Sequence, residues 1–125
     1  MTPVNVAEFV ARLNALLAAP SCPFVAEQRP YIDAFVAHAS DNEVLTPSAF
    51  AAAWDATARE VGAKRCEQNA PRLREDAMIA TLHDLVTLTC DDDFAIRVRA
   101  AMPMPRYEAG RRTFNILAGS WFSSR

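Results

Sequence analysis

Two histidines, His38 and His83, and three cysteines, Cys22, Cys66 and Cys90, are the side chains of this 125-residue chain best suited to act as base, nucleophile or metal ligand. A serine triad or a catalytic zinc site draws on histidine, so only two of them restrict both chemistries. His83 and Cys90 are seven positions apart. Along a helix that is about 10.5 Å, beyond the reach of a thiol handing its proton to an imidazole. His83 is better explained as a polar helix position open to a carboxylate partner, and His38 as a residue near a helix C-terminus, where the dipole favours a cation. The cysteines form no C-x-x-C and have no even count to pair off, so reduced thiols are expected.

The triplet Asp91-Asp92-Asp93 offers the carboxylate oxygens that calcium and magnesium prefer. On an EF-hand loop beginning at Asp91, however, position six is Ile96 where glycine is needed, and position twelve is Met102 where a bidentate glutamate is needed. Acids opening a helix account for the triplet better; the competing expectation is a weak magnesium site completed by a carboxylate from another helix. Glu75 and Asp76 are a pair of the kind used in acid–base work, yet adjacent residues diverge on a helix, and such pairs chiefly solubilise. No Walker loop, G-x-G-x-x-G, H-E-x-x-H or G-x-S-x-G occurs, and Gly62, Gly110 and Gly119 are too few to wrap phosphates. No residue is therefore assigned to catalysis, to a cofactor or to a metal, and the expectation leans away from an enzyme.

Charge is unevenly spread. Residues 1–62 hold three basic and seven acidic side chains, a net −4, whereas residues 94–125 hold Arg97, Arg99, Arg106, Arg111, Arg112 and Arg125 against Glu108 alone, a net +5. Arginine outnumbers lysine twelve to one, and its fork pairs with carboxylates and stacks on aromatic rings. Interleaved with Tyr107, Phe114, Trp121 and Phe122, the arginines make 97–125 a basic aromatic segment, able to hold phosphates while rings stack or insert. The plainer expectation is that Tyr107, Phe114, Leu117 and Trp121, which share a helical stripe, bury against the rest of the domain. Met102, Met104, Arg106, Tyr107, Arg111, Arg112, Phe114, Trp121 and Phe122 form the candidate interaction surface, because these residue types are enriched in interface cores.

Helices must position all of these residues. Val6, Phe9, Val10, Leu13, Leu16 and Leu17 recur at three-and-four spacing, and Asn5 with Glu8 has the form of a capping box, predicting a helix over 5–19. Pro20 and Pro23 break it. A second helix is secure from Pro30, with Tyr31, Ile32, Phe35, Val36 and Ala39 as its apolar face and Phe24 and Val25 as a candidate kinked extension upstream. Thr46-Pro47 reads as N-cap and first helical proline of a third helix over 47–66, striped by Phe50, Trp54, Ala58 and Val61. From Asn69 and Pro71 to Thr89 apolar residues run round most of a helical circumference, predicting a buried, central fourth helix.

A fifth helix is expected over 92–102, carrying Phe94, Ile96, Val98, Ala101 and Met102, and a sixth over 106–122 beyond an articulation at 103–105. Within the sixth, Arg112 to Leu117 has strand character but no partner strand elsewhere. Acid precedes base by four residues at Glu8/Arg12, Asp55/Arg59, Glu60/Lys64 and Glu108/Arg112, as on solvated helix faces.

The expected fold is an all-α, compact single-domain bundle of five to six short helices over 1–125. Composition agrees, with 51% hydrophobic and 22% charged residues. A chain of this length buries about two-thirds of its unfolded surface, so its core needs neither disulfide nor metal. A net charge of −2 excludes wholesale nucleic-acid binding by charge alone. Glu8 and Arg12 interrupt any apolar signal region, and no stretch reaches the roughly 20 apolar residues of a membrane span. A soluble, cytoplasmic, bacterial-type accessory protein is expected. By elimination, it works through protein–protein association, as an adaptor, inhibitor or immunity-type protein, with an unidentified protein partner or with itself as a homodimer. The alternative is nucleic-acid or anionic-membrane binding through 97–125. No cofactor is expected.

Overall fold

A computed structural model of the chain describes residues 3–22, 24–67, 75–89 and 91–102. In chain order they form β1 (Val4–Asn5), α1 (Val6–Ala18), a 3-10 turn (Ala26–Gln28), α2 (Arg29–Ala39), β2 (Val44–Leu45), α3 (Pro47–Glu67), α4 (Glu75–Thr87) and α5 (Asp92–Ala101). This is the all-α architecture that the helical periodicity predicts. The articulation at 103–105, the sixth helix over 106–122 and the start of the fourth over 69–74 lie outside the described residues.

Local chemistry sets where the helices begin. Asn5 Oδ1 accepts from the Glu8 N–H at 3.0 Å, Thr46 Oγ1 from the Ala49 N–H at 3.2 Å, and Asp91 Oδ1 from the Phe94 N–H at 3.1 Å. In each case a side-chain oxygen replaces the carbonyl that the first turn lacks. Pro47 then sits at the first position of α3, where its missing N–H costs nothing. Upstream of α2 the chain does not continue as a kinked helix. Val25 is extended, with φ −85° and ψ 162°, and a tight 3-10 turn follows before α2 starts at Arg29.

The short β-ladder is a feature that periodicity does not predict. Val4 pairs antiparallel with Leu45 and Asn5 with Val44, and the Val6 N–H donates to the Glu43 carbonyl at 3.0 Å. Each strand is the extended run-in to a helix, and two residues are too few to display a period of two. Val4 and Leu45 are buried while Asn5 and Val44 are exposed, so the ladder pins the starts of α1 and α3 over the core.

Phe50 on α3 is the hub of that core. Its ring lies 5.9 Å from Phe9 of α1, 4.9 Å from Phe35 of α2 and 5.7 Å from Phe94 of α5. The Phe9 and Phe94 contacts are edge-to-face, placing positive ring edges against negative faces. Trp54, one turn along α3, adds Tyr31 at 6.4 Å and Phe35 at 6.2 Å. α4 contributes Leu82, Leu85 and Val86 to the same core, but Ala77, Met78, Ala80, His83 and Asp84 are only partly buried; among the described residues the central helix is α3, which packs on both α2 and α5, and not the fourth helix as expected.

One apolar set needs correction. On α5 the buried residues are Phe94, Ala95 and Val98, with Met102 partly buried beyond them, whereas Ile96 and Ala101 face outward. Ile96 follows Phe94 by two residues, which carries it to the opposite side of a 3.6-residue helix. Among the described residues no helix is long and apolar enough to cross a membrane.

Candidate functional site

The aspartate triplet is divided by its position at the start of α5. Asp91 is the N-cap, its carbonyl also accepting from the Ala95 N–H at 3.1 Å, while Asp92 and Asp93 occupy the first turn, where the exposed amides favour negative charge. Among the described residues no three His, Cys, Asp or Glu side chains stand together as a metal-ion site. The side chains of Glu75 and Asp76, and all of Cys90, lie outside the described residues.

Among the described residues, each histidine lies beside a carboxylate. His38, in the last turn of α2, places Nε2 2.6 Å from Glu60 Oε2 on α3, and Lys64 Nζ approaches Glu60 Oε1 at 3.7 Å. The hydrogen bond from His38 holds the Glu60 carboxyl below the usual glutamate range, aided by the positive charges of His38 and Lys64 and opposed by partial desolvation. This cluster ties α2 to α3 at the surface. His83 Nδ1 lies 3.8 Å from Asp84 Oδ1 on the same helix. Burial pushes the Asp84 carboxyl up, and the neighbouring His83 pulls against that shift. Cys22 is a half-buried free thiol whose Sγ donates to the Phe24 carbonyl at 3.6 Å.

Two polar links that the sequence does not signal also serve the fold. Gln28 Oε1 accepts from the Val25 N–H at 2.9 Å, and its Nε2 donates to Thr81 Oγ1 at 2.6 Å; Thr81 in turn donates to the Ala77 carbonyl at 2.9 Å. Both side chains are buried, so the chain of bonds fastens the 3-10 turn to α4 where unpaired groups would be costly. Arg12 of α1 donates from Nη1 to the Leu88 carbonyl just beyond α4, matching a cation to the negative end of that helix. Such pairings join residues 53 and 76 positions apart, and no local spacing rule reaches them.

The outward side of α5 is one of the surfaces that the described contacts leave open. Asp93, Ile96, Arg97, Ala100 and Ala101 are all exposed. Arg97, Ala100 and Ala101 form one wall of an open cleft of about 460 Å³ whose other wall is Thr46, Pro47 and Ser48 at the start of α3. Of the candidate interaction surface, Met102 alone falls within the described residues. It follows α5 as a half-buried cap residue whose N–H reaches the Val98 and Arg99 carbonyls, and its side chain packs against the core. Met104, Arg106, Tyr107, Arg111, Arg112, Phe114, Trp121 and Phe122 lie outside the described residues. Compared with known proteins, the chain matches no family model, no curated protein and no solved structure.

Proposed function

We propose that this chain acts in the cytoplasm by protein–protein association, with another protein or with a second copy of itself, as an adaptor, inhibitor or immunity-type protein, and turns over no substrate. The observation that carries the reading is the division of work among its polar side chains. Asp91, Gln28, Thr81, His38, Glu60 and Arg12 are engaged in capping and joining helices. The outward face of α5, with Ile96 and Arg97 exposed beside an open cleft, takes no part in those links. In sequence, α5 is followed by the arginine- and aromatic-rich residues 103–125.

The test is affinity capture of the tagged chain in its native source, followed by binding of the purified partner. A stoichiometric complex weakened at least tenfold by Arg97→Glu or by Arg111→Ala with Arg112→Ala, and unchanged by His38→Ala, supports the reading. Recovery of the chain alone, together with a monomeric mass independent of concentration, counts against it.

The excess of arginine over 94–125 favours a second reading, binding of nucleic acid or an anionic membrane. Such binding weakens steeply with salt, because neutralised phosphates release counterions. Failure of oligonucleotides and anionic vesicles to bind at low ionic strength removes it.

A further inference from the structure

We infer that the outward face of α5 is a contact between two copies of this chain, packed antiparallel about a two-fold axis so that Asp93 of each copy meets Arg97 of the other beside Ile96. The inference rests on the association reading above and names a partner for the same face.

Three observations carry it. Asp93, Ile96, Arg97 and Ala100 stand at i, i+3, i+4 and i+7, which places them in one stripe along the helix, and all four are exposed. Ile96 is 37% exposed although Phe94, two residues before it, is fully buried; Ile96 is thus a large apolar side chain left at the centre of a surface stripe. The charges beside it are also uncommitted. Three other pairs at this spacing close on their own helix, at 3.7 Å for Arg29–Asp33, 3.2 Å for Asp55–Arg59 and 3.7 Å for Glu60–Lys64, and in a fourth, Glu8/Arg12, the arginine is instead taken by the Leu88 carbonyl. Asp93 and Arg97 have the same spacing, in the favourable acid-first order, yet among the described residues neither has an ion-pair partner.

A second copy fits this stripe for a reason of symmetry. One acid and one base give the face no net sign, so it selects neither an acidic nor a basic partner. What it selects is the reversed order of charges, and an antiparallel copy presents that order automatically. The two-fold then makes each complementary contact twice. Ala100 and Ala101 keep the C-terminal part of the face low, allowing close approach of helix backbones. A ten-residue helix is about 15 Å long. Its face is smaller than the about 800 Å² per partner of a standard interface, so the dimer is weak and transient. Its ion pairs are exposed at the rim, so it weakens as salt rises.

The experiment is sedimentation velocity on the full chain at low salt, from the micromolar to the millimolar range, with helicity checked by circular dichroism. The expected result is a reversible monomer–dimer equilibrium. Asp93→Arg and Arg97→Asp each set like charges opposite one another and weaken it about tenfold or more, whereas the double reversal restores it to within about threefold. Ala100→Glu, on the same stripe and away from the helix start, blocks close approach and also weakens it, which keeps the test decisive if Asp93→Arg unfolds the helix. A chain monomeric throughout, or folded single variants that dimerise like the parent, overturns the inference. A monomer that still forms a stoichiometric complex with a different protein overturns this inference alone and leaves the association reading standing.

Discussion

The ring of Phe94 meets that of Phe50 edge-on, with centroids 5.7 Å apart and planes at 84°, and this contact carries α5 onto the aromatic cluster shared by α1, α2 and α3. The docking of α5 is what turns Phe94 inward and Ile96 outward, so the core and the candidate binding face are two sides of one packing decision.

The two sides of α5 respond differently to truncation. Phe94→Ala removes a fully buried ring and costs about 3–5 kcal/mol of folding stability, whereas Ile96→Ala stays within about 0.5 kcal/mol of the parent. Urea unfolding of both variants checks this, and comparable losses would contradict the orientation described for α5.

The buried Gln28–Thr81 link behaves as a pair. Thr81→Val strands the Gln28 amide in the interior and costs about 1–3 kcal/mol. Adding Gln28→Leu removes the stranded group, so part of that loss returns. A double-mutant cycle measured by denaturation isolates the coupling, and strict additivity would rule the link out as a source of stability.

Asp91 is expected to act as a cap. Asp91→Ala costs about 1 kcal/mol, while Asp91→Ser, which keeps a side-chain acceptor, stays close to the parent. Thermal unfolding with and without magnesium or calcium distinguishes this from metal binding. A large upward shift with either ion, abolished by Asp91→Ser, would reassign the triplet.

The pH dependence follows from two carboxylates shifted in opposite directions. Glu60 is lowered in the folded chain, chiefly by the hydrogen bond from His38, so its stabilisation is present above the unfolded value of about 4.3 and is lost as pH falls through the folded value. Asp84 is raised by burial, so its contribution is present in acid and is lost as pH rises through its folded value. Glu60→Gln therefore flattens the acid-side loss of thermal stability, and Asp84→Asn raises stability at neutral pH relative to acid. Melting temperatures across the acid range check both; a parent-like acid limb in Glu60→Gln would show that the His38 contact does not influence folding.

Much of the fold is written locally. The helix starts at Asn5, Thr46-Pro47 and Asp91 are legible because capping and proline chemistry act over three or four residues, and the stripes of α1, α2 and α3 because burial repeats with the helical period. The same locality explains the sequence's assignment of the aspartate triplet to a helix start. The Val4–Leu45 ladder, the Gln28–Thr81 and His38–Glu60 links and the Arg12 contact with the Leu88 carbonyl were decided by tertiary structure alone, because each joins groups that meet only after the helices have packed. Ile96 shows the difference most plainly. Its hydrophobicity made it a core residue on paper, but a helix has one inward side, and Phe94 had already taken it.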